Sequence, residues 1–80
     1  MSRSVVRLRS VDPARNRDRY YELETEALGL LVRVERSWGR SGRRRRRLVE
    51  YLAPAEAERE VQELLELRAR HGYVAQDAGR

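Results

Sequence analysis

The chain has 80 residues, 40% of them apolar and 39% charged, with a formal net charge of +5. That is one small domain with a modest core. The absence of Cys and a single His exclude a disulfide framework, a zinc-thiolate centre and a cysteine nucleophile. Any Ser/His/Asp triad would have to be built around His71. The apolar run at residues 28–32 is too short for a membrane-spanning helix or a secretory signal, so neither is expected. A Cys-free chain suits a reducing cytoplasm, the compartment expected here.

Charge is segregated along the chain. Residues 1–49 carry 14 Arg and 6 carboxylates, a net of +8, and residues 50–80 carry 4 Arg and 7 carboxylates, a net of −3, which together make the +5 of the whole. A GC-rich genome explains the preference for Arg over Lys but not its concentration in one half. The pattern suggests one face for a polyanion and another for solvent or a partner.

In chain order, Val5, Val6, Leu8 and Val11 among Arg7, Arg9 and Ser10 predict a first strand over residues 4–11. Asp12-Pro13 signals a turn, and the polar stretch at 13–19 reads as a loop. Tyr20, Tyr21 and Leu23, interleaved with Glu22 and Glu24, predict a second strand over 19–25. Leu28-Gly29 suits a hairpin turn. Residues 30–38 form the clearest strand, with Leu30, Val32, Val34 and Trp38 on one parity and Arg33, Glu35 and Ser37 on the other. Gly39 and Gly42 mark a tight connection into a fourth strand over 43–52. Pro54 then opens a helix, with Glu56 and Glu58 favourably placed in its first turns. Ala57, Val61, Leu64 and Leu65 fall on one buried stripe, which the stem of Arg68 continues. Gly72 ends the helix, and Tyr73 folds back on its last turn. The expected architecture is α+β: a four-stranded antiparallel sheet covered by one C-terminal helix, a single domain over 4–75, with 76–80 a frayed tail.

The motifs and their order resemble a known family. An Asp-Pro turn and an Asn precede an aromatic strand (Asp12-Pro13, Asn16, Tyr20-Tyr21). A strand leads into Trp38-Gly39-Arg40-Ser41-Gly42, and a basic strand ends in Tyr51. A helix with Glu56-Ala57 near its start closes with Gly72-Tyr73. Over roughly residues 5–73 this resembles the WGR domain family, found beside the catalytic domain of DNA-damage-activated poly(ADP-ribose) polymerases and, in bacteria, alone or fused to regulators. In the polymerases the domain engages DNA near strand breaks, with the motif's Trp and Arg close to the 5′ end and to neighbouring domains. The resemblance thus implies nucleic-acid binding, with DNA favoured over RNA. Ser41 stands where the family often has an aliphatic residue, and Arg stands where the family often carries Lys. No counterpart of the polymerase catalytic or zinc-finger domains lies within these residues, so ADP-ribosylation is not expected of them.

The candidate contacts are Trp38, Gly39, Arg40, Arg43, Arg44, Arg45, Arg46, Arg47, Arg17 and Arg19. Trp38 either stacks on a sugar or terminal base, worth ~1–3 kcal/mol by analogy with single-strand binders, or closes the core on the Val32/Val34 face. Arg40 either forks onto a phosphate or pins its loop to carbonyls. In a strand, Arg43, Arg45 and Arg47 face one side and Arg44 and Arg46 the other, so two or three of the five are expected to meet one backbone. Arg15, Arg17 and Arg19 form a second basic cluster on the first loop, whereas Arg7 and Arg9 are weaker candidates. Tyr21 is expected inward beside Leu23, with Tyr51 and Tyr73 in the core. Asn16 is expected in an Asx-type turn, and His71 at the helix C-terminus, where a cation is mildly favoured.

No nucleophile–base pair, metal cluster or Gly-rich phosphate loop is visible, so no enzyme, cofactor or metal is expected. Nor does a basic amphipathic helix point to a membrane. The function expected is a nucleic-acid-binding module that contacts the sugar-phosphate backbone and prefers ends or breaks. The competing reading is a protein-interaction module that docks an acidic partner or a neighbouring enzyme, with homodimerisation open to so thin a core.

Overall fold

The computed structural model describes residues 3–76. Strand β1 (Arg3–Asp12) runs into a single 3-10 turn at Pro13–Arg15. Asn16 closes that turn in the left-handed region at φ 53°, its N–H donating to the Pro13 carbonyl, so this Asn serves through its backbone. Strand β2 (Arg17–Leu28) pairs antiparallel with β1. The expected loop therefore shrinks, and Arg17 and Arg19 belong to a strand. Leu28 pairs with Leu31 across a two-residue turn whose first position, Gly29, takes φ 67°, as a twisted hairpin favours. Strand β3 (Leu31–Arg40) pairs with β2 along its length and with β4 (Arg46–Leu52) on its other side.

The fourth strand begins at Arg46, three residues later than the alternation predicts. Gly42 sits at φ 79° and the Arg43 N–H donates to the Arg40 carbonyl, so the chain is still turning at Arg43. Helix α1 (Pro54–Arg70) follows β4, with the Ala53 N–H donating to Glu56 Oε1 at its start. It ends as the Gly72 signal predicts: Gly72 (φ 85°) donates to the Ala69 carbonyl and Tyr73 to the Arg68 carbonyl. His71 is the C-cap residue.

A fifth strand corrects the four-stranded expectation. β5 (Val74–Ala75) pairs with Leu8 and Arg9 of β1, giving the order β4-β3-β2-β1-β5. Gln76, assigned by sequence to the frayed tail, donates its N–H to the Arg7 carbonyl at 2.7 Å. Residues 77–80 lie outside the described residues.

The helix covers one face of the sheet. Cross-strand rows Leu8–Tyr21–Trp38 and Val6–Leu23–Arg36 run beneath it. Tyr21, Leu23, Val34, Leu8 and Ala57 are buried, with Val61, Leu64, Leu65 and Tyr73 packed against them. Tyr21 is thus inward and Tyr73 joins the core, as expected. Tyr51 does not: it is 57% exposed, because in β4 Leu48, Glu50 and Leu52 carry the helix-side parity and Tyr51 the opposite one. Leu30 leaves the strand for the hairpin turn and is 90% exposed.

Candidate nucleic-acid interface

The uncovered face of the sheet is laced with ion pairs. Arg3 meets Glu24 at 2.6 Å, Arg7 meets Glu22 at 3.2 Å, and Arg47 meets Glu35 at 3.4 Å, with Arg33 on the same carboxylate. Arg9 holds Asp18 with two bonds of 3.0 Å. The Arg9 hydrogen bond lowers the Asp18 pKa below the usual carboxylate range; desolvation opposes it, and the Ser41 hydroxyl adds to it. Exposed pairs of this kind are worth ~0–1 kcal/mol each, so their main consequence is local neutralisation. Arg7 and Arg9, the weaker candidates, are occupied here.

The opposite face differs at the end beyond α1. A hollow of about 610 Å³ is lined by Trp38, Gly39, Arg40, Arg43, Arg44, Arg45 and Arg46. A second of about 470 Å³ brings Arg19 and Arg68 to the same indole, with Tyr73 behind. Among the described residues, no carboxylate lies within ion-pair distance of Arg19, Arg36, Arg40, Arg43, Arg44, Arg46 or Arg68. Their charge stays available to an anion.

The register explains the convergence. Trp38 sits opposite Tyr21 on one side and Arg46 on the other, and Arg19 opposite Arg40. Trp38 packs on the core side, its ring 6.5 Å from Tyr21 at 30°, yet the residue is only partly buried and lines the hollows. Arg40 donates Nη2 to the Asn16 carbonyl at 2.9 Å, which realises its loop-pinning alternative and leaves its other N–H groups for a ligand.

A third hollow, about 270 Å³, is lined by Tyr21, Arg36, Trp38 and Arg68. Arg68 lies over the Tyr21 ring at 4.3 Å and the Tyr73 ring at 5.7 Å. The Tyr21 hydroxyl and the Nε atoms of Arg36 and Arg68 are buried without a hydrogen-bond partner. Two guanidiniums without a carboxylate partner beside one small hollow suit an oxyanion. Sequence reading passed over Arg36 and Arg68 in this role; the available signal was an Arg on the apolar stripe of the helix and another on the core parity of β3.

Not every predicted contact joins the cluster. Arg47 turns to Glu35 on the open face. Arg45 reaches the hollow but commits its guanidinium to Tyr20 and Glu22. Arg17 lies further along β2 and lines none of these hollows. Arg15 pairs with Asp12 at 3.6 Å.

One acidic pair borders the site. Glu60 of α1 faces Glu50 of β4, with Arg36 and Glu63 nearby. Hydrogen bonding to Glu50 raises the Glu60 pKa, and burial adds to the shift. A raised folded-state pKa stabilises the fold below the unfolded value, and that contribution is lost as pH rises through the folded value. Glu60→Gln is therefore expected to raise the melting temperature at neutral pH, the gain disappearing in acid; thermal melts across that range check it.

Among the described residues, no helix is long and apolar enough to cross a membrane, and no group of three or more His, Asp or Glu side chains could hold a metal ion. Searches of curated proteins and of solved structures find no match. The family model for the WGR domain does match, over residues 4–80. With the Trp38-Gly39-Arg40 tripeptide at the close of β3 and a sheet backed by one helix, the chain belongs to the WGR domain family.

Proposed function

We propose that the protein is a non-catalytic nucleic-acid-binding module that grips the sugar-phosphate backbone, DNA in preference to RNA, around Trp38. The observation that carries the reading is the division of the arginines: the open face is neutralised by its own carboxylates, while unpaired guanidiniums surround one partly exposed indole. Phosphate neutralisation with release of counterions exploits that arrangement. The one long helix carries Glu56, Glu58, Glu63 and Glu66, which is unsuited to lying in a groove, so contacts are mainly to the backbone and carry little sequence information.

A terminal nucleotide suits the site better than a continuous duplex. Trp38 lines a small hollow together with Arg36 and Arg68, where a sugar can rest on the indole and a phosphate oxygen can meet the two guanidiniums. The experiment compares a nicked duplex, a blunt duplex and a closed circle at two salt concentrations. Neutralising ~4 phosphates gives log K a slope of about −3 to −4 against log salt. Trp38→Ala is expected to abolish the preference for ends over the closed circle, at a cost of ~1–3 kcal/mol in end binding. Salt-independent binding, or an end preference that survives Trp38→Ala, would count against the reading.

A further inference from the structure

The loop at 41–45 has no regular structure of its own, yet it is fastened from behind. The Ser41 N–H donates to the Asp18 carbonyl at 3.0 Å and the Ser41 hydroxyl to Asp18 Oδ1 at 3.0 Å. At the far end, the Arg45 guanidinium lies 5.2 Å from the centre of the Tyr20 ring, donating Nε to the Tyr20 hydroxyl at 3.2 Å and Nη1 to Glu22 Oε1 at 3.4 Å. Tyr20 and Glu22 belong to the open face, behind the Trp38 hollow. Just before the first fastening, a Cβ at Gly39 would stand 3.4 Å from both the Arg44 carbonyl and the Tyr20 hydroxyl, so the loop folds closely over a position that holds no side chain.

We propose that Arg45 is a positioning residue of the interface: by clasping Tyr20 and Glu22 it holds the loop so that Arg43, Arg44 and Arg46 stand around the Trp38 hollow. The inference rests on the nucleic-acid reading above and deepens it by dividing labour within the arginine run. Arg44 and Arg46 spend their charge on phosphate. Arg45 spends its planar fork and the face of its guanidinium on the protein, a task that Lys, a point charge without a fork, does not perform. Five like charges in a row repel, and anchoring the middle one to a carboxylate and a phenol fixes the fan of the others before a ligand arrives. Such preorganisation reduces the ordering cost of binding.

The test uses the full chain, with Arg45→Ala and Arg45→Lys set against Arg44→Ala, and has two arms. In the free protein, amide hydrogen exchange at residues 41–45 is expected to accelerate in both Arg45 variants and to stay near wild type in Arg44→Ala. With a short blunt DNA duplex as probe, the Arg45 variants are expected to bind roughly three- to tenfold more weakly, from the lost ordering alone, at an unchanged salt slope. Arg44→Ala is expected to lose about one unit of slope. An Arg45 variant that loses that unit while its loop exchanges as in wild type would overturn the proposal, as would full function in Arg45→Lys. If the wild-type chain binds no duplex, the nucleic-acid reading fails by itself, and the exchange arm still decides whether Arg45 clasps the loop.

Discussion

Replacing Arg43, Arg44 and Arg46 together with Ala is expected to flatten the salt dependence of duplex binding, removing about 3 from the slope of log K against log salt and leaving roughly −1. These three line the Trp38 hollow, and among the described residues none has a carboxylate partner. Each is a charge available to one phosphate, and the losses are expected to add because the contacts fall on separate phosphates. Weakening should be uniform across duplex sequences, since backbone contacts carry no base information. Arg47→Ala is the internal control. Its guanidinium lies against Glu35 on the far face, and the slope should remain at the wild-type value. A titration of each variant at several salt concentrations gives all the slopes.

The largest effect on stability is expected at Tyr21. Its ring is fully buried, 6.5 Å from Trp38 and 6.4 Å from Tyr73 in an edge-on arrangement, with Arg68 over one face. Tyr21→Ala empties the junction of sheet and helix, and large aromatic truncations of this kind cost ~3–5 kcal/mol. A domain of this size holds a total of only ~5–15 kcal/mol, so the variant should be close to unfolding in water. Tyr21→Phe separates packing from polarity. It keeps the ring and removes a hydroxyl that is buried without a partner, so the free protein is expected to keep or gain stability. With Trp38 and the surrounding guanidiniums in place, the same variant is expected to bind nucleic-acid ends as the wild type does. Urea denaturation and end binding, measured side by side, distinguish the two contributions.

Much of this was legible in the chain. Alternation in β3 assigned Val32, Val34 and Trp38 to one face and Arg33, Glu35 and Ser37 to the other, and the pairing bears this out. The helix announced itself through Pro54, its apolar stripe and Gly72. The failures share a cause: they depend on partners distant in sequence. β5 is two residues long and exists only because β1 offers it an edge. Tyr51 looked like core because it is aromatic, but strand parity sends it outward. Alternation within the arginine run already expected only two or three of the five to meet one backbone; what the run does not show is that Glu22 and Glu35, each more than ten residues away, hold Arg45 and Arg47. That Arg36 of β3 and Arg68 of α1 line one small hollow with Trp38 is likewise something nothing near them in sequence shows.

The central claim is that nucleic acid rests on the helix-side end of the sheet around Trp38 and not on the ion-paired face. Mapping amide and indole chemical-shift changes on a labelled protein titrated with a blunt duplex tests it most directly. The account predicts changes concentrated at the Trp38 indole, Gly39, Arg40, Arg44, Arg46 and Arg68, with Arg3, Arg7, Glu24 and Arg33 undisturbed. Changes centred on those four open-face residues, or a Trp38 indole that does not move while the duplex binds, would contradict it.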